Sequence, residues 1–279
     1  MIGRDRIALG SYQYLRYPLE YFLDTASELG MRQVELWAAA PHLCLDTITA
    51  QRLDQIAREL RVRNLQVCCL TPEQCVYPVN LAAEEEELRQ YSIRNFQRAV
   101  QVAQVLGCPK VLVTAGCGYF NRSVEAAWAR SVDSLTQIAQ FARLHGVYLV
   151  LETLTPLSSN LVNAPSQQRQ MIAQLPQGSV RAMVDLGQMV FMGQALEDYL
   201  ALGAQLDHVH LHDSHPAIHM ALGDGDLPLA DYLTRLEEWG YQGMYALECN
   251  DPRYRQNPAL ADRRNIAWLE ANKFLSSRS

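Results

Sequence analysis

No apolar run in this chain approaches the roughly 18 residues that a membrane span needs. The first residues, Met1-Ile2-Gly3-Arg4-Asp5-Arg6, carry no signal-type apolar segment, so a protein that stays off the membrane is expected. Positive charge is short as well, with a formal net charge of −6. Phosphate contacts need clustered Lys and Arg, so a nucleic-acid-binding surface is not expected. Cysteine forms no framework. Cys44, Cys68, Cys69, Cys75, Cys108, Cys117 and Cys249 are an odd set, without metal-type pairing beyond the adjacent Cys68-Cys69. Scattered thiols suit a reducing cytoplasm, with most of them buried, rather than a disulfide scaffold. Linkers and low-complexity tracts are missing too, which points to one domain over residues 1–279.

Hydrophobic residues make up 49% and charged residues 19%, the balance of a soluble globular protein with a large core. Strand and helix patterns alternate about every 35 residues. Expected strands at 7–9, 34–37, 65–70, 111–114, 149–153, 181–185, 206–211 and 245–248 precede expected helices at 18–29, 47–61, 84–106, 124–145, 165–174, 194–202, 229–238 and 258–275. Asp46 or Thr47 is the expected N-cap of the second helix, and Gly107, with Pro109 beyond, ends the third. Strict alternation means a parallel sheet, and eight such units close into a (β/α)8 TIM barrel, typically of about 250 residues.

Four of the later strands end on a side chain that binds metals. Glu152 follows Tyr148-Leu149-Val150-Leu151, and Asp185 follows Ala182-Met183-Val184. His210 follows Asp207-His208-Val209, and Glu248 follows Met244-Tyr245-Ala246-Leu247. Side chains alternate faces along a strand, so Glu152 points with Val150, Asp185 with Met183, His210 with His208 and Glu248 with Ala246. Leu149, Leu151, Val184, Val209, Leu211, Tyr245 and Leu247 fall on the opposite face, suited to packing under helices. A single strand-end Glu serves more often as a salt-bridge partner, Asp185 alone would suit a helix cap, and a lone inward His is usually a core residue. Four at the same ends of strands five to eight are a site for one divalent cation. Active sites of such barrels lie at the C-terminal strand ends. Carboxylates predict Mn²⁺ or Mg²⁺, and His210 also accommodates Co²⁺ or Zn²⁺. Glu152 and Glu248 approach the mouth from different sides, an arrangement that can take a proton from one face of a carbon and return it to the other.

The segments Val34-Glu35-Leu36-Trp37, Pro41-His42, Leu70-Thr71-Pro72-Glu73, Tyr77-Pro78-Val79-Asn80 and Leu151-Glu152-Thr153-Leu154-Thr155-Pro156 carry a resemblance. It continues through Met183-Val184-Asp185, His208 to Ser214, Gly223-Asp224-Gly225-Asp226-Leu227-Pro228-Leu229 and Gly240-Tyr241-Gln242-Gly243. Across nearly the whole chain these resemble the sugar phosphate isomerase/epimerase superfamily of xylose isomerase-like barrels, most closely its fructoselysine 3-epimerases. The resemblance implies that Glu152, Asp185, His210 and Glu248 hold the metal and that Glu152 and Glu248 are the catalytic pair. Ketose 3-epimerases acting on free sugars carry Glu, His and Arg where this chain has Ser158, Gln188 and Pro216, which points away from free fructose, psicose or tagatose. Endonuclease IV builds extra zinc sites at positions held here by Gln188 and Ala217, leaving only His219 of that group, so a trinuclear nuclease is not expected.

Other residues are candidates for substrate contact. Trp37 would stack on a sugar or serve as a packing aromatic, and His42 would touch substrate or lie on the surface. Glu73, Tyr77, Gln188 and His219 complete the set, with His212 either beside the metal or facing solvent. Arg253 and Arg255 suit an anion or plain exposure, and Glu84–Glu87 suits the first turn of a helix. The expected function is a metal-dependent sugar epimerase, acting by 3-epimerisation of a ketose or ketose conjugate through an enediolate. An aldose–ketose isomerase, a lyase or dehydratase, and a carbohydrate-binding barrel are the alternatives. A small-molecule carbohydrate is the expected partner, and the sequence leaves a homo-oligomer open.

Overall fold

The computed structural model describes residues 1–74, 79–215 and 217–275. Its strands are β1 (Ile7–Gly10), β2 (Gln33–Ala38), β3 (Gln66–Pro72), β4 (Lys110–Val113), β5 (Tyr148–Leu151), β6 (Val180–Asp185), β7 (Leu206–Leu211) and β8 (Met244–Leu247). Each pairs in parallel with its sequence neighbours, and β8 returns to β1, so the sheet is a closed barrel. The connections carry α1 (Leu19–Glu28), α2 (Ala50–Val62), α3 (Glu86–Leu106), α4 (Val124–Leu144), α5 (Pro165–Ile172), α6 (Leu186–Phe191), α7 (Leu196–Leu200), α8 (Leu229–Trp239) and α9 (Pro258–Ala271). No helix among the described residues is long and apolar enough to cross a membrane.

Local chemistry explains most boundaries. Glu86 and Glu87 sit in the first turn of α3, where the helix dipole favours negative charge, and Gly107 ends it in the left-handed region at φ 69°. The cap of α2 is neither Asp46 nor Thr47. Residues 44–48 close a turn of their own, with Ile48 N–H donating to Cys44 O at 2.8 Å. Thr49 is left to cap the helix, its Oγ1 accepting from Arg52 N at 3.2 Å. The helix expected at 194–202 is α7, and a short helix that the sequence did not suggest, α6, precedes it. α6 starts directly at the end of β6, and the left-handed Gly193 (φ 64°) separates it from α7.

The two faces of the barrel wall divide as strand alternation requires, except at the neighbours Cys68 and Cys69, which share the interior where the β2–β3 register shifts. Ala8, Cys68, Cys69, Leu112, Val150, Met183 and Ala246 fill the interior. Leu149, Leu151, Val184, Val209, Leu211, Tyr245 and Leu247 pack outward beneath the helices. Cys68, Cys69, Cys108 and Cys249 are buried thiols, Cys44 and Cys117 are half-buried, and Cys75 lies outside the described residues. At the N-terminal end Lys110 Nζ donates to Asp207 Oδ2 (2.8 Å), Tyr148 OH to the same oxygen (2.9 Å) and Arg181 Nη1 to Oδ1 (2.5 Å). At the other end Gln168 is buried on α5, and its Nε2 donates to Leu151 O (2.6 Å) and Met183 O (2.8 Å), tying β5 to β6.

Candidate metal centre at the barrel mouth

Glu152 follows β5, Asp185 closes β6, His210 lies in β7 and Glu248 follows β8. The structure brings all four together. His210 Nδ1 lies 2.8 Å from Glu248 Oε2 and 3.9 Å from Glu152 Oε1. It is buried yet out of line for a hydrogen bond. Donor atoms of Glu152, Asp185 and His210 lie within 4.8 Å of one another, as do those of Asp185, His212, His219 and Glu248.

Asp185 also caps α6, because its Oδ1 accepts from Gln188 N at 2.8 Å. The same oxygen meets His212 Nε2 at 2.9 Å, while Oδ2 stays turned toward His219 Nε2 at 3.6 Å. His212 is therefore buried against Asp185 rather than facing solvent. Gly187 makes room for it, since a Cβ there would collide with His212 Cε1 and Ser214 Oγ. Gln188 Nε2 donates to Glu152 Oε1 at 3.0 Å, and its Oε1 accepts from Thr155 N at 3.2 Å. His219, at φ 58°, holds Nε2 3.6 Å from Glu248 Oε2 without an aligned hydrogen bond.

Charge is packed unevenly here. Burial, with Glu248 and Asp185 close by, pushes Glu152 up to about 8 against the pull of His210. Burial also disfavours ionised Asp185, yet His212 and His219 hold it well below the usual carboxylate range. His210 and His219 likewise outweigh burial to lower Glu248. Burial opposes the protonated imidazoles, but Glu248 and Glu35 raise His210, and Glu248 and Asp185 push His219 up to about 9. In the metal-free site, protons on these groups offset the carboxylates. A divalent cation fits the same place. The two overlapping groups, Glu152 with Asp185 and His210 and Asp185 with His212, His219 and Glu248, offer carboxylate and imidazole donors of the kind such a cation takes, and His210 Nδ1 faces Glu152 and Glu248.

A family model described as a xylose isomerase-like TIM barrel matches residues 23–272. The chain belongs to that family. Over 253 residues the barrel is 28% identical to fructoselysine 3-epimerase of Shigella flexneri, covering 88% of this chain and 92% of the relative. Its fold superposes on that of a D-psicose 3-epimerase with D-tagatose from Clostridium cellulolyticum H10, with TM-score 0.83, 16% identity and full coverage of both chains. It also superposes on the IOLI protein with a bound zinc atom, at TM-score 0.79 and 19% identity, covering 98% and 100% of the two chains. The isomerase class expected from the sequence is the class of the named epimerases among these xylose isomerase-like barrels.

The remaining candidates scatter. Trp37 shares a small hollow with Glu35, Tyr12 and Glu248, its ring edge-on to Tyr12 at 4.8 Å. His42 is not at this mouth cluster. It is buried, with Nε2 2.8 Å from Tyr17 O, beside α1. Glu73 follows β3, its Oε1 accepting from Gln74 N at 3.1 Å, and Tyr77 lies outside the described residues. Arg253 is engaged by Asp251 at 3.0 Å. Sequence reasoning assigned no role to Glu35, which is buried inside the barrel against His208 and His210. The available signal was a carboxylate amid the apolar Val34 and Leu36, on the same face as Trp37.

Proposed function

We propose that the protein is a divalent-metal-dependent 3-epimerase of a ketose conjugate, with Glu152 and Glu248 as its acid–base pair. The observation that carries this reading is that two carboxylates from separate strands meet one imidazole, His210, whose buried Nδ1 has no aligned hydrogen bond. Glu152, Asp185, His210 and Glu248 would hold the cation, which, when bound, polarises a carbonyl and its neighbouring hydroxyl and so stabilises an enediolate. Glu152 and Glu248 exchange a proton with opposite faces of the sugar carbon. Gln188 orients Glu152, and His219, beside Glu248, binds a sugar hydroxyl. The names of the relatives supply the sugar part of the proposal.

The conjugate part rests on a cavity of about 310 Å³ among the loops after β3, β4 and β5. Asn80, Glu84, Glu85, Tyr119, Leu154 and Ser158 line it, and no Lys or Arg is among its described lining residues. Acidic walls suit a cationic tail such as the amine of fructoselysine. Incubation with Mn²⁺ in D₂O and a panel of free and conjugated ketoses tests the proposal. Deuterium entering at C3 of a conjugate is expected. Entry at C1 or C2 would make the protein an aldose–ketose isomerase, and binding without exchange would make it a carbohydrate-binding barrel.

A further inference from the structure

Resting on the reading of the mouth as a metal centre, we propose that Glu35 is the positioning residue that makes His210 a cation ligand. Glu35 comes from β2, across the barrel interior from β7, and is 5% exposed. Val34 and Leu36 pack outward, so strand alternation turns Glu35 inward; the register shift beside it is taken up on β3, where Cys68 is the extra residue. Its Oε1 lies 3.0 Å from His210 Nε2 and also takes the Thr71 hydroxyl, and its Oε2 lies 2.8 Å from His208 Nε2.

An ionised carboxylate only accepts hydrogen bonds, so both imidazoles must donate through Nε2. In the neutral ring of His210 the lone pair is then on Nδ1, the nitrogen aimed at Glu152 and Glu248. His208 occupies the second carboxylate oxygen and stops the group from turning. A relay of protons into the barrel does not fit, because His208 is fully buried and its Nδ1 has no hydrogen-bond partner among the described residues. Glu35 is therefore a clamp on the His210 tautomer. Groups that orient a metal-binding histidine in this way typically change metal affinity by about 10–100-fold.

Glu35→Gln tests the clamp, because the amide has one oxygen for two imidazole donors. Its NH₂ falls to His210, because a proton driven from Nε2 to Nδ1 meets Glu248 there, whereas the buried His208 Nδ1 offers no such acceptor and that ring keeps the amide oxygen. Titration of the metal-free protein with Mn²⁺ should show affinity in Glu35→Gln reduced by about 10–100-fold. Zn²⁺-loaded wild type, labelled with ¹⁵N-histidine, should show His210 protonated on Nε2 by NMR, a signature that a merely structural Glu35 would not set. The wild-type spectrum decides the matter even if the variant fails to fold. Unchanged Mn²⁺ affinity in folded Glu35→Gln, or a proton on His210 Nδ1 in the Zn²⁺ form, overturns the clamp alone. Wild type that binds neither ion overturns the metal centre, and the clamp with it. Neither readout depends on turnover of any sugar.

Discussion

The two ends of the barrel handle buried charge in opposite ways. At the base, Asp207 receives Lys110, Arg181 and Tyr148, and each charge meets its opposite within hydrogen-bond distance. At the mouth, Glu152, Asp185 and Glu248 crowd together among His210, His212 and His219, and the buried His210 Nδ1 and His219 Nε2 have no aligned partner among the described residues. Arrangement as well as burial separates these ends. Satisfied charges hold a structure together, whereas crowded like charges store a mismatch that a ligand relieves. Barrel enzymes divide labour along the same axis, with stability at the base and chemistry at the strand C-termini.

The comparison breaks most visibly under conservative substitution at the mouth. Glu152→Gln and Glu248→Gln should each lower turnover by about 10²–10⁴-fold, as loss of a general acid or base does. Their neighbours raise Glu152 but lower Glu248, so the melting temperature of the metal-free protein should hold or rise in Glu152→Gln and fall in Glu248→Gln, which takes the counter-charge from His210 and His219. In D₂O the two variants should retain solvent exchange with opposite epimers. Loss of exchange with both epimers, with Mn²⁺ and substrate still bound, would show that one carboxylate carries the proton alone.

The base should respond in reverse. Lys110→Met strands part of the charge on Asp207, which keeps Arg181 and Tyr148, so a loss of roughly 3 kcal/mol in denaturant unfolding is expected. Activity per folded molecule should be unchanged. A silent Lys110→Met would mean that the base is no more a fastening than the mouth.

A smaller effect sharpens the contrast through pH. Glu152, raised to about 8, is mostly protonated at pH 6, and the cation needs its ionised form. Binding therefore displaces that proton, and the affinity for Mn²⁺ should rise between pH 6 and 8 by about tenfold per unit for each proton released. A flat calorimetric profile across this window would show that Glu152 is already ionised without metal.

Where a residue's role depends on its own strand, the sequence was readable. The alternation that set Val150, Met183 and Ala246 inward also set Glu152, Asp185 and Glu248 toward the mouth, and the closed barrel has that geometry. Roles that depend on contacts across the fold were hidden. Glu35 is 175 positions from His210 and meets it only because β2 and β7 face each other through the barrel. His42 looked like a loop histidine until Tyr17 O took its Nε2. The short α6 has little periodicity of its own and is capped by Asp185, whose Oδ1 takes Gln188 N while Oδ2 stays turned to the mouth, so the reading of that residue as a helix cap leaves the second oxygen available.

Gly187 sets a limit on how the centre can be remodelled. The segment after β6 is an obvious place to graft new specificity, since α6 is short and carries Gln188 to the mouth. Even a methyl group at position 187 would force the His212 ring aside, and with it the contact that holds Asp185 at 2.9 Å. Replacement segments are thus restricted to those that open as Asp185-Leu186-Gly187 does, with a carboxylate, any residue that fits, and then glycine. A library that randomises the third of these positions would lose the Asp185–His212 contact before it sampled a new specificity.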